Sequence, residues 1–183
     1  MSTTTAPRTG ALADLTPGVW TVDTSHSTVG FTARHLMITK VRGRFTDFSG
    51  VLEITPDPLQ SHVEASVNLA SVDTGDAGRD AHLKSADFFN LDEGASPTMT
   101  FVSTGIKDDD GEYVLFGDLT INGVTRQVEF DLEFEGVNTD PWNNTKVAFA
   151  AETEINRKDF GLEWNVALET GGVLVGERER ARR

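Results

Sequence analysis

At 183 residues, with 38% hydrophobic residues and a mean hydropathy of −0.28, the chain has the size and balance of one soluble globular domain. Its formal net charge of −13 argues against a nucleic-acid partner, which needs a basic face to displace counterions. The absence of cysteine excludes a disulfide framework, a thiolate zinc site and a cysteine nucleophile, and no run approaches the roughly 18 apolar residues of a membrane helix.

The first 18 residues are rich in Thr, Ala, Pro and Gly and are expected to be flexible. They lack the charged start and apolar run of a secretory leader, so the chain reads as cytoplasmic, or as exported where a leader has been removed. Trp20 and Val22 begin a short first strand, and Asp23 to Ser27 make a turn. In TVGFTARHLM (28–37), Val29, Phe31, Ala33 and Met37 share one side, and His35 falls with them by parity. Val41 to Ile54 reads as two strand arms around a bend, stopped by Pro56 and Pro58. Val63, Ala65, Val67 and Leu69 then alternate with His62, Glu64, Ser66 and Asn68.

Between residues 76 and 90 the period changes. One short helix is predicted there, with Asp76 as N-cap, Leu83 as its apolar contact, and Phe88 and Phe89 packing back on the body. Strands resume at Met99 to Ile106 and Tyr113 to Ile121. Asn122-Gly123 has the positive-φ preference of a type I′ hairpin turn. Beyond it, Arg126, Val128, Phe130, Leu132 and Phe134 face one way, while Gln127, Glu129, Asp131, Glu133 and Glu135 face the other. Val147, Phe149, Ala151, Thr153 and Ile155 repeat the alternation.

About eight strands, hairpin links and no βαβ rhythm predict an all-β, antiparallel eight-stranded barrel with one helical insertion around 76–90. A barrel of that size either fills with side chains or encloses one small ligand. Small residues on the inward faces, Ala33, Gly43, Ala65 and Ala151, leave room and favour a cavity. The predicted organisation is a flexible segment at 1–18, a barrel domain at 19–176 and a charged, solvated tail, ERERARR, at 177–183.

Several ordered blocks are specific. WTVDTSHSTVGFTARH (20–35), VRGRFTDFSG (41–50), SVDTGDAGRDAHLKSADFF (71–89), PTMTFVST (97–104), GDLTINGVTRQV (117–128) and INRKDFG (155–161) together resemble the YceI-like, polyisoprenoid-binding family. The resemblance implies an extended lipocalin-like barrel whose apolar tunnel holds a long isoprenoid or similar lipid, with binding rather than catalysis as its activity. It implies no cofactor beyond a bound isoprenoid lipid or quinone. On it, the tunnel-lining set is Phe31, Ala33, His35, Phe45, Val67, Leu69, Arg79, Asp80, Phe101, Leu119, Phe130, Phe149, Arg157 and Trp164. His35, with Arg79, Asp80 or Arg157, is the expected anchor for a quinone, phenol or phosphate head; the alternative is that His35 bonds a backbone carbonyl or points to water. The family normally continues past TGGVLVG (170–176) into an apolar closing strand, whereas this chain turns to charge. Leu174 to Glu179 would then replace that strand or leave an open edge, which makes a homodimer reasonable.

Other motifs carry less. His26 and Ser27 are neighbours on an extended chain and face apart, which disfavours a nucleophile–base pair. The four histidines show no metal-ligand spacing. Asp159-Phe160-Gly161 spells a kinase metal motif without its partner motifs and reads as a tight turn over the core, with an Arg157–Asp159 ion pair. Asp73, Asp76, Gly78 and Asp80 lack the spacing of a calcium loop. Two further readings remain open: a barrel enzyme acting on a lipid-like substrate, and a packed stress-response interaction protein with no ligand.

Overall fold

The alternation above leaves each strand with one face to bury, and the chain satisfies this by curling a single sheet on itself. The computed structural model describes residues 12–36, 38–91, 97–164 and 178–182. Along the chain these form β1 (Gly18–Thr21), β2 (Val29–His35), β3 (Thr39–Phe45), β4 (Phe48–Ile54), β5 (His62–Asn68), β6 (Val72–Asp73), α1 (Ala77–Lys84), β7 (Thr98–Asp109), β8 (Glu112–Ile121), β9 (Val124–Thr139), β10 (Thr145–Asn156) and β11 (Arg178–Arg182). All pairs are antiparallel, in the order β1-β4-β5-β7-β8-β9-β10-β11-β2-β3-β6. β3 and β4 stand near opposite margins of that order, yet only Thr46 and Asp47 separate them in sequence. The sheet must therefore bend round until its margins meet, which gives a barrel-like wall. Two connections cross the seam, and they hold each other. Thr46 and Asp47 N–H donate to Ser71 Oγ at 3.1 and 3.0 Å, and Asn68 N–H donates to the Asp47 carbonyl at 2.9 Å.

The all-β, antiparallel expectation holds, with eleven described strands rather than eight. The surplus lies in pieces such as β6, two residues long, and β11, five residues long, which are too short to show a period. β11 also corrects the reading of the C-terminus as a solvated tail. Arg178–Arg182 pairs with β10 on one side and β2 on the other, because a ladder needs only backbone groups. The open edge that would have invited a second copy at this position is thereby filled.

Local chemistry sets the connections. Asn122 and Gly123 have φ of 54° and 74°, as a type I′ turn requires, and Asp110 and Gly111 repeat the device between β7 and β8 at 54° and 91°. Asp76 caps α1, accepting from Arg79 N–H at 3.0 Å. Phe88 and Phe89 fold back into the core. Phe160 is buried and Gly161, at φ 74°, turns the chain over it.

The N-terminal expectation needs correcting. Leu12–Asp14 forms a 3₁₀ turn, and Leu12 and Leu15 are buried with Ile54 and Phe134 in a second apolar cluster, separate from the main core. The polar composition around them conceals two leucines three residues apart, which one such turn places together. Residues 1–11, Met37 and 165–177, on which parts of the sequence reading fall, lie outside the described residues.

Candidate functional site

The main core does not fill the barrel. A cavity of about 560 Å³ runs inside it, within the range of small-molecule sites. Its wall is built from β2, β3, the start of β4, β5, β7, β8, β9 and β10, with α1 and the Phe88-Phe89 turn covering one end. Aromatic pairs stiffen it: Phe31 and Phe45 with ring centroids 5.7 Å apart, Phe45 and Phe89 at 6.4 Å, and Phe101 and Phe130 at 5.2 Å. The cluster of Leu12, Leu15, Ile54 and Phe134 contributes nothing to the lining and closes the barrel beyond it.

Of the set drawn from the sequence, Phe31, Ala33, His35, Phe45, Val67, Arg79, Phe101, Leu119, Phe130, Arg157 and Trp164 line this cavity. Three residues of that set do not. Leu69 is fully buried in the 3₁₀ turn after β5, where it packs as core. Asp80 turns away and accepts from Thr74 N–H and Thr74 Oγ1, at 2.9 and 2.6 Å. Phe149 has the inward face but the wrong depth: it packs on Phe134, centroids 5.4 Å apart, in the closing cluster. Of the small residues, Ala33, Ala65 and Ala151 do open onto the cavity. The space beside Gly43 is instead taken by a ring, since a Cβ there would lie 2.4 Å from Phe31 Cζ.

The polar groups of the wall are basic or neutral, with no carboxylate among the described lining residues. Several are already engaged. Arg79 donates from Nε to Thr74 Oγ1 at 2.8 Å and from Nη2 to the Thr74 carbonyl at 3.0 Å. Arg157, only 2% exposed, donates to the carbonyls of Leu162 and Trp164 rather than pairing with the exposed Asp159. His82, absent from the expected set, lies edge-on to Phe88 and Trp164 at 5.2 and 4.6 Å and is 2.7 Å from Asp87 Oδ2. A signal for it existed: Arg79, His82 and Leu83 stand at i, i+3 and i+4, one stripe of α1. His35, half-buried at the end of β2, has no side-chain hydrogen bond among the described residues, which leaves both ring nitrogens for a guest.

The Ser/His question resolves outside the cavity. His26 Nδ1 lies 2.9 Å from both Ser25 Oγ and Asp23 Oδ2, so one ring atom serves both partners and no relay passes through the imidazole. Lys146 Nζ donates to Asp23 Oδ2 at 2.8 Å and, with Ser25 and His26, holds that carboxyl far below the usual carboxylate range. The cluster is exposed and ties the β1–β2 turn to the start of β10.

Comparison with known proteins bears on this arrangement. The model of the YceI-like domain matches residues 20–179. A UPF0312 protein of Staphylococcus aureus (strain MSSA476) is 38% identical over 160 residues, 86% of this chain and 90% of that protein. The crystal structure of BcnA from Burkholderia cenocepacia superposes with a TM-score of 0.71 at 23% identity, over 88% of this chain and 96% of that one. A polyisoprenoid binding domain from Saccharophagus degradans, implicated in plant cell wall breakdown, gives a TM-score of 0.63 at 13% identity, over 91% and 95%. These two structures share the fold.

Proposed function

This chain belongs to the YceI-like domain family, and on that premise we propose that it binds a long isoprenoid lipid, of the polyprenyl or isoprenoid-quinone type, and stores or carries it without chemical change. The observation that carries the reading is the apolar cavity of about 560 Å³, walled by rings and small aliphatic side chains. The naming of the Saccharophagus degradans neighbour for polyisoprenoid binding supports the ligand class. Contact with such a wall is nondirectional and scales with buried area. The tail therefore supplies most of the affinity and the head sets orientation. His35 is the proposed head anchor, donating to a ligand oxygen at the end of β2. Arg79, Arg157 and His82 hold the fold around it, which suits binding rather than turnover.

Native mass spectrometry of the purified protein, followed by organic extraction, tests the reading: an isoprenoid lipid is expected, released unaltered. At about 0.3 kcal/mol per heavy atom for large ligands, each isoprene unit removed is expected to weaken binding roughly tenfold. His35→Phe should cause one smaller step, common to all tail lengths. An empty protein with no affinity for any isoprenoid, or an affinity indifferent to tail length, overturns the proposal.

A further inference from the structure

Residues 24–46 contain no Asp or Glu, although the whole chain carries 29 of them and a net charge of −13. This stretch contains the whole β2–β3 hairpin. Its outer face presents Arg34, Lys40, Arg42 and Arg44, all exposed. Arg34 and Lys40 stand directly opposite one another in the ladder, an unfavourable placement for like charges in isolation. Only Arg44 is paired with a carboxylate, that of Asp73 at 3.1 Å; Arg34, Lys40 and Arg42 have none among the described residues. β11 brings Arg180 and Arg182 into register with Thr32 and Gly30 on the same hairpin.

The tip between these cations is apolar. Ile38 is 88% exposed, the most exposed large hydrophobic residue described, and Leu36 is 40% exposed with φ of 55°. The same hairpin forms part of the cavity, since Arg34 and His35 immediately before the tip line it. An apolar wedge, a cationic collar and part of the cavity wall therefore coincide on one element.

We propose that the β2–β3 hairpin docks the protein onto an anionic lipid bilayer, with Leu36 and Ile38 entering the interface and Arg34, Lys40 and Arg42 contacting lipid headgroups. Charge decides the partner and the pose. An acidic protein is repelled by an anionic surface everywhere except where its carboxylates are missing, so this face turns toward the membrane. A bilayer fits the apolar tip better than a protein does. Two side chains are far short of the roughly 800 Å² per partner of a stable interface, but they suffice to anchor a cationic patch shallowly. The docked pose holds the cavity wall formed by Arg34 and His35 close to the lipid surface, so a guest passing between bilayer and cavity travels a short path through water. This last consequence rests on the proposed function; the docking itself rests on the hairpin.

Cosedimentation of the full chain with vesicles tests the proposal. Binding is expected to vesicles of phosphatidylcholine mixed with phosphatidylglycerol, to be much weaker on phosphatidylcholine alone, and to decline as salt rises. Ile38→Asp should abolish it. Lys40→Glu and Arg42→Glu should each weaken it at least about fivefold, the contribution of one surface cation. Trp142→Ser is the control: Trp142 is 81% exposed but sits in the β9–β10 turn, at the opposite end of the barrel, near the Lys146–Asp23 contact. A wild-type protein that ignores the mixed vesicles overturns the proposal. So does binding that survives Ile38→Asp and both charge reversals, or that is lost with Trp142→Ser. Native mass spectrometry of the same samples separates the two readings. Protein loaded with lipid that ignores vesicles fails only the docking proposal; empty protein that still docks fails only the proposed function.

Discussion

Replacing Gly117 with alanine probes how closely the cavity wall is fitted. Gly117 faces Ser103 across the β7–β8 ladder, and the Phe101 ring lies over it. A Cβ at this position would come within 2.4 Å of Phe101 Cε2 and Cζ and 2.6 Å of the Val102 carbonyl oxygen, about an ångström inside ordinary contact. The ring can retreat only toward the cavity it lines, which breaks its edge contact with Phe130. The carbonyl belongs to the neighbouring backbone, so relieving it means spreading two paired strands. Overpacking of this kind costs about 1–3 kcal/mol, and the lost ring pair adds about 0.5–1.5 kcal/mol. The smaller chain entropy of alanine in the unfolded state offsets about 0.4–1 kcal/mol. The net expectation is a loss near 2 kcal/mol, a fall of about 4–8 °C in Tm for a chain of this length. Thermal melts followed by circular dichroism read it, with Gly105→Ala alongside. Gly105 occupies a bulge in the same strand pair, and a Cβ there meets nothing within 4 Å. Gly105→Ala should melt with the wild type. Gly117→Ala should melt lower and bind isoprenoid more weakly, because Phe101 then occupies guest space. Equal melting of Gly117→Ala and the wild type would refute the fitted-wall reasoning.

Two further predictions concern parts of the barrel away from the cavity. Leu15→Ala removes a side chain that is 8% exposed in the closing cluster, and should cost about 2–4 kcal/mol by denaturant unfolding, with no loss of isoprenoid binding at temperatures well below the melt. An undiminished stability would show that the N-terminal turn does not close the barrel. The Asp23 carboxyl is held below its ordinary value in the folded state, so its contribution is present above the unfolded value near 3.9 and is lost as pH falls toward the folded one. Asp23→Asn should therefore melt below the wild type between pH 5 and 8. The gap should close progressively below about pH 4, whereas a gap that widens in acid contradicts the assignment.

What was readable in the sequence was direction across the sheet. Period-two alternation separated Val128, Phe130 and Phe134 from the carboxylates between them, and the burial follows that split. Turn chemistry was equally legible, because Asn122-Gly123 and the Asp76 cap act through their own backbone neighbourhood. Position along the barrel axis was not legible. Phe149 and Phe101 read alike by parity, but one packs in the closing cluster and the other lines the cavity. Parity says inside; only long-range pairing, shifted by bulges at Ala148/Phe149 and Ser103/Gly105, says how far along. Arg79 and Asp80 illustrate a second limit. Both were expected at the cavity, but Thr74 captures both side chains, and only Arg79 still touches the lumen. The C-terminal strand escaped notice because a run of arginines carries no apolar alternation, while its backbone completes the wall regardless.

The seam behaves differently from the rest of the wall. Most neighbouring strands share long ladders, up to the pairing of β9 with β8 and β10, whereas the margins are fastened at two corners by the Ser71 hydroxyl, the Asn68–Asp47 side-chain bond and a few main-chain contacts. With each neutral hydrogen bond worth about 1 kcal/mol, such a clasp yields long before the ladders do. The barrel thus resembles a cuff closed by a button: the seam can ease apart while the long ladders keep their strands in place in the sheet.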